Sequence, residues 1–286
     1  MNQNQIAVVG AGTMGAGIAQ VSVQAGMDTI LYDISQEFVE RGLSRIRGFI
    51  QRNREKGKLS KEEEGEMLSR LRGSLKLDDF RESSIVIEAA PEKLELKRDL
   101  FRQLDAICVV ETLLATNTSS LSVTAVAGAT RHPERVLGMH FFNPPPLMAL
   151  VEIIQGEQTG DATIQRALDI SRRLGKTPVC AKDTPGFIVN RVARAFYTEA
   201  LRILGEGDVQ PKTIDNILKG AGGFPMGPFE LMDLIGIDIN LAVTESLYSG
   251  FFQEPRFRPS SIQQRMVLSG NLGRKTGRGF YTYGKN

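Results

Sequence analysis

The sequence contains few of the residues that build disulfide frameworks and metal centres. Among its 286 residues there are two cysteines and two histidines. Cys108 and Cys180 are too few for a disulfide framework, and they do not have the spacing of a metal or redox motif. We therefore expect no bound metal and a location in the reducing cytoplasm.

Long apolar runs and a strong charge of either sign are also lacking. No run approaches the ~18 apolar residues of a membrane-spanning helix. A strand-like run already begins at Ile6, so we expect no signal peptide. The formal net charge of +2 is too balanced to indicate nucleic-acid binding. We expect neither a membrane nor a nucleic acid as partner. With 41% hydrophobic and 24% charged residues, the composition is that of a globular protein.

Short apolar runs alternate with helical patterns in the first part of the chain. A helical pattern over Thr13–Gly26 follows the first run, and helical segments separate the runs that come next. The strand-like runs are 6–9, 29–32, 85–87, 113–115, 136–139, 150–154 and 178–181. This alternation predicts an α/β fold over residues 1–183, with a Rossmann-like, doubly wound sheet that is largely parallel and covered by helices on both faces. The pattern leaves a mixed direction open for the last strands.

A long polar helical stretch, from about residue 35 to residue 72, follows the second strand-like run. Lys56-Gly57-Lys58 interrupts it, and Ser60-Lys61-Glu62-Glu63 restarts it with a capping-box pattern. The stretch is too long for an ordinary crossover helix. We predict two helices that project from the domain as an arm.

The character of the sequence changes at Asp183-Thr184-Pro185-Gly186. Beyond this point we find no strand-like run of consequence, and Gly220–Pro228 is rich in glycine and proline. Helical spacing covers 187–204, 211–219, 229–248 and 260–268. These patterns predict an all-helical C-terminal domain over residues 184–286.

The motif Gly10-Ala11-Gly12-Thr13-Met14-Gly15 lies between the first strand-like run and the first helix. In this context Gly10 makes a tight turn, Gly12 admits a pyrophosphate, and Gly15 lets helix and strand pack closely. The helix N-terminus favours phosphate, and Asp33 at the end of the next strand can bind the ribose hydroxyls. A carboxylate there would repel the 2′-phosphate of NADP, so the pattern predicts NAD. FAD is not excluded.

A histidine and a glutamate stand in adjacent strand-like runs. His140 ends one run, and Glu152 lies inside the next, where a lone charge is expensive to bury. If these strands are neighbours, Glu152 can orient one imidazole nitrogen and stabilise the imidazolium, while the other nitrogen faces substrate. A structural histidine and an edge-strand glutamate are the alternative. His132 lies in a polar segment and is expected on the surface.

Polar residues follow another strand in Ala115-Thr116-Asn117-Thr118-Ser119-Ser120. Asn117 and Ser119 could hold a nicotinamide or a substrate carbonyl, whereas the composition favours helix capping before Val123 for at least one of the polar residues in this segment. Asn190 lies on the first helix of the second domain. From its position alone we expect Asn190 to be an ordinary polar residue, either in the core or on the surface.

Several motifs together resemble the short-chain L-3-hydroxyacyl-CoA dehydrogenases, over essentially the whole chain. The resemblance includes the glycine turn and the segments 88–92, 117–120, 139–144, 185–191, 225–228 and 273–275. It implies that His140, oriented by Glu152, is the general acid and base of an NAD-dependent conversion between (S)-3-hydroxyacyl-CoA and 3-ketoacyl-CoA. Ser119 and Asn190 would bind the 3-oxygen and the acyl region. The residues implied to contact or frame NAD are Glu92, Lys97, Ser119, Asn143 and Lys275.

The resemblance also implies an acyl-CoA partner, a homodimer formed through the helical domain, an active site in the cleft between the domains and a role in fatty acid β-oxidation. The arm of residues 35–72 would contact CoA, but its basic residues are arginines, and the family's lysine contacts to CoA have no match at these positions. A solvated helix face is the alternative for Arg41, Arg45, Arg47, Arg52 and Arg54.

The acyl chain is the main open question. Within the family, 3-hydroxybutyryl-CoA is the first substrate to expect. The segment Pro255-Arg256-Phe257-Arg258-Pro259-Ser260 is similar to the 3-hydroxyadipyl-CoA dehydrogenases of phenylacetate breakdown, whose acyl chain ends in a carboxylate. Two alternatives come from other classes: a non-catalytic NAD-binding protein, which predicts loss of His140 or Glu152, and an enzyme for a free hydroxy acid, which has no use for a CoA-binding arm.

Overall fold

A computed structural model describes residues 2–284 and divides the chain into two compact units, with the division between Thr184 and Pro185. The first unit contains all eight strands of a single sheet. The strands are β1 (Asn2–Val9), β2 (Asp28–Tyr32), β3 (Leu71–Ser74), β4 (Ser83–Glu88), β5 (Leu113–Thr116), β6 (Val136–Phe141), β7 (Leu150–Gln155) and β8 (Thr177–Lys182).

The sheet has the order β3-β2-β1-β4-β5-β6-β7-β8. All neighbouring pairs are parallel except β6 and β7, which are antiparallel. The predicted, largely parallel α/β sheet is therefore confirmed, with a mixed direction in the last strands. Strand order reverses beside β1, and in such sheets ligands bind outside the carboxyl ends of the strands at this switch point. The glycine motif follows β1 directly.

Helices cover both faces of this sheet. They are α1 (Thr13–Gln24), α2 (Gln36–Glu55), α3 (Lys61–Ser69), α4 (Leu94–Ile107), α5 (Val123–Ala127) and α6 (Asp161–Arg173). Side chains alternate along β1, so that Ile6 and Val8 join the core under α1, α2 and α6, whereas Ala7 and Val9 join the core under α4 and α5. The sheet thus has an apolar core on each face.

The segment predicted as a projecting arm differs from the prediction in two ways. It contains the two predicted helices, and Ser60 forms the predicted capping box with Glu63. However, α2 buries a stripe from Val39 to Ile50 against α1 and the sheet, so most of its length lies on the domain. In addition, residues 71–74 form β3 at the edge of the sheet. A four-residue strand with two buried side chains was too short to recognise within a polar stretch.

The second unit is helical, as predicted. Its helices are α7 (Val189–Gly205), α8 (Pro211–Gly220), α9 (Pro228–Ile235), α10 (Ile237–Gly250) and α11 (Ser261–Leu268). Helices α9 and α10 lie where the sequence predicted a single helix over residues 229–248. Gly236 interrupts it with φ +104, a conformation that favours glycine and ends the helical path. No strand was found in the described part of this unit, only isolated bridges at Arg278.

Short 3-10 turns occur at Leu77–Phe80, Pro133–Arg135, Pro255–Phe257 and Arg274–Thr276. The core of the second unit forms around Tyr197, Leu201, Phe229, Met232 and Ile237. Within residues 2–284, no helix combines the length and the apolar character needed to cross a membrane.

Candidate active site

The glycine turn after β1 is tightly packed at Gly10 and Gly15 and open at Gly12. Gly10 has φ +96, and a Cβ at this position would lie 2.7 Å from the carbonyl oxygen of Ala89. A Cβ on Gly15 would lie 1.7 Å from the carbonyl oxygen of Gly10, so the helix and the turn can pack this closely only with glycine. At Gly12, by contrast, no atom lies within 4 Å of the added Cβ, and the backbone there is open to a ligand.

The N-terminus of α1 fits a phosphate group. Gly12 is its N-cap residue, so no side chain caps the helix, and the first turn carries no acidic residue. Thr13 and Met14 are the first two helical residues, and the N–H groups of such a turn lack intrahelical acceptors. Uncapped N–H groups and the positive end of the helix dipole favour an anion at this position. The turn can therefore hold the pyrophosphate of a dinucleotide.

Asp33 lies beside the same turn, at the end of β2. Its carboxylate accepts hydrogen bonds from the N–H of Ala11 at 2.7 Å and from the N–H of Ile34 at 2.7 Å. Because an ionised carboxylate has about four acceptor sites, these two bonds leave capacity for ribose hydroxyls. Asp33 is thus fixed relative to the glycine turn.

His140 and Glu152 form a buried pair. Antiparallel pairing of β6 and β7 places the two residues directly opposite each other. His140 Nδ1 lies 2.7 Å from Glu152 Oε2, and the two residues are only 6% and 0% exposed. The ring of Phe142 packs against the imidazole, with 4.6 Å between ring centroids. A carboxylate that is desolvated in this way needs a partner, and the imidazole provides one.

A second buried carboxylate, Glu88, was not identified from the sequence. It ends β4 and is fully buried. One oxygen accepts from Lys97 Nζ at 2.7 Å and from the N–H of Ala90 at 2.6 Å, and the other accepts from Thr116 Oγ1 at 2.7 Å. The sequence signal was available, because Glu88 directly follows the apolar run Ile85-Val86-Ile87, as His140 follows its own run.

Lys97 and Glu92 complete this network. Lys97 is 1% exposed, and its ammonium contacts Glu88, the carbonyl oxygen of Ala90 at 3.3 Å and Glu92 Oε2 at 3.3 Å. Because an ammonium has three donors, a direct bond from Lys97 to a cofactor would break one of these contacts. This geometry suits a framing role for Lys97.

Glu92 links this network to the loop after β5. Its Oε1 accepts from Thr118 Oγ1 at 2.5 Å and from the Ser119 N–H at 2.9 Å. Burial acts to raise the pKa of Glu92, but the Lys97 ammonium and the hydrogen bonds from Thr118 and Ser119 outweigh it, and the net pKa is lowered. Glu92 is therefore an anion, and its carboxylate fixes the backbone N–H of Ser119.

Asn117 joins the loop after β5 to the end of β6, since its Oδ1 accepts from the Phe141 N–H at 2.8 Å.

The N-terminus of α5 is capped by residues other than those expected from the sequence. Ser122, outside the polar segment singled out before, caps α5 through the Ala125 N–H. Asp183 adds a second cap from a distant part of the chain, accepting from Val123 and Thr124 N–H groups at 3.0 and 2.7 Å. Because the cap and the helix are 60 residues apart, no local sequence pattern predicts this contact.

Three further candidates lie on the loop after β6 and in the second unit. Asn143 is exposed on the loop after β6, and the neighbouring Pro145 packs on α1 at Gly17. Asn190 lies in the first turn of α7 in the second unit. In the same unit, Lys275 Nζ pairs with Asp238 at 2.6 Å. His132 is partly exposed and lies beside Glu134, in agreement with the expected surface position.

No group of three or more metal-ligating side chains occurs among the residues that the structure describes. The first unit contains a glycine turn with Asp33 and the buried His140–Glu152 pair. It also contains the loops that carry Glu92, Asn117 and Ser119.

Comparison with known proteins identifies the chain's relatives. A sequence profile of the 3-hydroxyacyl-CoA dehydrogenase NAD binding domain matches residues 5–184, and the profile of the C-terminal domain of the same family matches residues 186–283. The chain is 47% identical over 283 residues to 3-hydroxyadipyl-CoA dehydrogenase of Escherichia coli, covering 99% of this chain but only 60% of the length of that relative. It is 44% identical to a probable 3-hydroxybutyryl-CoA dehydrogenase of Deinococcus radiodurans, covering 96% and 99% of the two chains.

The fold is also similar to a crystal structure of (S)-3-hydroxybutyryl-CoA dehydrogenase from Ralstonia eutropha. The TM-score is 0.95 at 43% sequence identity, over 99% of this chain and 100% of the other. The profile match and the open, uncapped turn after β1 together assign NAD as the cofactor. Both units match domains of one family over nearly their full length, and the chain belongs to the 3-hydroxyacyl-CoA dehydrogenase family.

Proposed function

We propose that this protein interconverts an (S)-3-hydroxyacyl-CoA and the corresponding 3-ketoacyl-CoA with NAD. The observation that carries the proposal is the buried His140–Glu152 pair, at 2.7 Å, at the end of β6 in an NAD binding domain. In open α/β sheets ligands bind outside the carboxyl ends of the strands, and this position of the pair supports a catalytic role.

His140 is the general acid and base of the proposed reaction. Because Nδ1 is engaged by Glu152, Nε2 is the nitrogen that exchanges a proton with the substrate. In the oxidative direction, Nε2 takes the proton of the 3-hydroxyl while C3 loses a hydride, for which bound NAD supplies the acceptor. The Glu152 carboxylate stabilises the imidazolium that forms. In the reductive direction the imidazolium returns the proton to the 3-oxygen.

Other residues position the reactants. We propose that the glycine turn and Asp33 bind the pyrophosphate and the ribose, and that Asn117, Glu92 and Lys97 shape the nicotinamide end of the site. Ser119 and Asn190 are proposed to bind the 3-oxygen and the acyl region, and Asn143 and Lys275 to contact NAD. Support for Ser119 comes from the Glu92 carboxylate, which fixes its backbone N–H.

The CoA part is proposed to contact the arginines of α2. Arg41 and Arg47 lie near glutamates at 3.9 and 3.8 Å, and Arg54 pairs with Glu64 at 2.6 Å. Arg45 and Arg52 are exposed and have no ion-pair partner within the described chain. They lie seven residues apart, on one face of the helix, which makes them the better candidates for phosphate contact.

The acyl chain of 3-hydroxybutyryl-CoA is the first candidate, since the relatives from Deinococcus radiodurans and Ralstonia eutropha bear that substrate in their names. A second candidate, 3-hydroxyadipyl-CoA, is supported by the name of the Escherichia coli relative at 47% identity.

The first experiment follows NADH absorbance during reduction of acetoacetyl-CoA, with free acetoacetate and NADPH as parallel controls. We expect rapid loss of NADH with the thioester, and little reaction with the free acid or with NADPH. Saturable NAD binding without turnover of any 3-ketoacyl-CoA would contradict the proposal and leave a non-catalytic NAD-binding protein. Equal turnover of free acetoacetate would instead indicate an enzyme for free hydroxy acids.

We further propose a homodimer formed through the second unit, in the cytoplasm, with a role in fatty acid β-oxidation. Large apolar side chains of this unit, among them Leu234, Ile239 and Phe252, are exposed and are available to an association surface. Neither cysteine forms a disulfide, which fits a reducing compartment. A monomer by light scattering at micromolar concentration would contradict the dimer.

A further inference from the structure

Arg194, on α7, is a buried cation without a carboxylate partner. Its exposed fraction is 2%, and no acidic side chain of residues 2–284 pairs with it. Burial lowers the pKa of Arg194 to about 10, against a smaller opposing effect of Tyr197, whose ring the guanidinium faces at 4.8 Å. The group therefore remains charged at neutral pH. A buried charge of this kind ordinarily needs a counter-ion.

The protein satisfies only part of this guanidinium. Nε donates to the carbonyl oxygen of Asn190 at 3.2 Å. Nη1 donates to the carbonyl oxygen of Asn240 at 2.9 Å and to Thr244 Oγ1 at 2.8 Å. In the described part of the chain, Nη2 has no acceptor. Nη1 thus ties α7 to α10, whereas the bond from Nε stays within α7, and the donors of Nη2 are available to another group.

A second donor without a partner lies in the same cluster. Asn240 Oδ1 accepts from Gln263 Nε2 at 2.8 Å and lies 3.4 Å from Arg194 Nη1, which fixes the orientation of the amide. Its Nδ2 is buried, and no acceptor for it is found among residues 2–284. Buried donors without an acceptor in the protein are rare, and each needs an explanation. A carboxylate can accept from a guanidinium and from an amide together.

The position of the cluster on α7 indicates which carboxylate. Arg194 follows Asn190 by four residues, about one helical turn, so the two side chains lie on the same face of α7. Four residues of helix rise about 6 Å, which an acyl chain of three carbons beyond C3 and one hydrogen bond can cover. We propose that Arg194, with Asn240, binds the terminal carboxylate of a dicarboxylic 3-hydroxyacyl-CoA.

The inference rests on the proposed function, in which Asn190 binds the acyl region. It makes Arg194 the residue that distinguishes carboxylated from uncharged acyl chains. A purely structural arginine, which only ties α7 to α10, is the alternative. The two readings differ in one measurable quantity, the ratio of kcat/KM for two substrates that differ only at the acyl end.

The test compares (S)-3-hydroxyadipyl-CoA with (S)-3-hydroxyhexanoyl-CoA, which has the same chain length without the carboxylate. We expect the wild-type protein to favour the carboxylated substrate. Arg194→Met should lower the ratio of the two kcat/KM values by about 10- to 100-fold, the usual worth of a hydrogen bond to a charged group. Arg194→Lys, which keeps the charge, should retain part of the preference. Arg202→Met is the control, because Arg202 is exposed on the same helix and pairs with Glu199.

The outcomes separate the inference from the proposed function. If the wild type oxidises both thioesters without preferring the carboxylated one, or if Arg194→Met lowers both kcat/KM values equally, the inference is wrong and the proposed function stands. Should Arg194→Met fail to fold, the wild-type preference and the Arg194→Lys variant decide. If the wild type oxidises no 3-hydroxyacyl-CoA of any chain length, the proposed function falls, and the inference falls with it.

Discussion

Both units bury carboxylates, but they compensate the buried charge in different ways. In the first unit, Glu152 binds the imidazole of His140. In the second, Asp215 and Asp233 are equally buried, yet they accept hydrogen bonds from backbone N–H groups and tyrosine hydroxyls. Within the described chain, no cationic side chain pairs with either aspartate.

The contacts of Asp233 show what the second arrangement does. Its carboxylate accepts from the N–H groups of Phe280 and Tyr281, each at 3.0 Å, and from the hydroxyl of Tyr283 at 2.9 Å. Burial and the hydrogen bond to Asp233 raise the pKa of Tyr283 to about 12, so this hydroxyl keeps its proton at neutral pH. Asp233 therefore fastens the last segment of the described chain to α9. Asp233, held by backbone and tyrosine donors, serves folding, whereas Glu152, held by an imidazole, can serve proton transfer.

The largest expected effect comes from removing the imidazole. His140→Ala should lower kcat for acetoacetyl-CoA reduction by at least about 100-fold, because general acid–base catalysis contributes that much or more. His132→Ala is the matched control, since His132 is the other histidine of the chain and is partly exposed. We expect it to retain full activity in the same NADH assay. Turnover of His140→Ala within about threefold of the wild type would be incompatible with the proposed role.

The second prediction concerns the stability of the helical unit. Asp233→Ala leaves two backbone N–H groups and the Tyr283 hydroxyl without their acceptor, and should lower the free energy of unfolding by about 3 kcal/mol or more. Calorimetry of the thermal transition measures this loss. Asp208→Ala, at an exposed position of the same unit, should have no such effect. Equal melting temperatures for the two variants would remove the structural role assigned to Asp233.

A milder change in the first unit tests the charge of Glu152 without removing its shape. Glu152→Gln should lower kcat by about 10- to 100-fold, since a hydrogen bond to a charged group is replaced by a neutral one. KM should change little, because the positioning of the imidazole affects the chemical step rather than substrate binding. Glu157→Gln, at an exposed position just after β7, is the control. A rise in KM at constant kcat would show that Glu152 acts on binding instead.

The fold could be predicted wherever periodicity is strong. The alternating runs and the helical spacing gave the parallel sheet and the helical unit, because burial on one or two faces imposes the pattern directly. The failures occurred where the pattern is short or interrupted. β3 has four residues at a sheet edge, and Gly236 divides one apolar helical stretch into α9 and α10 through a backbone angle that the pattern does not contain.

The site could be predicted in part, for a related reason. His140 and Glu152 were found because a polar residue in an apolar run must have a partner. Glu88 carries the same signal at the end of β4, but its partner Lys97 lies on a helix, beyond any strand-to-strand argument. Asp183 caps a helix 60 residues away, and Arg194 is ordinary in sequence. Contacts of this range depend on tertiary packing.

The smallest expected effect lies in the network around Lys97. The pKa of Glu92 is lowered below its ordinary value of 4.5 in the folded protein, so Glu92 contributes stability that is present above that pH and is lost as the pH falls through the lowered value. Glu92→Gln should therefore make unfolding less dependent on pH below about 4.5, with a modest loss of stability at neutral pH. Melting temperatures measured between neutral and acidic pH test this, with Glu111→Gln at an exposed position as control. If wild type and Glu92→Gln lose stability in parallel on acidification, the Lys97 network does not hold Glu92 as an anion, and the contrast between charge-paired and backbone-held carboxylates would then apply to the His140–Glu152 pair alone.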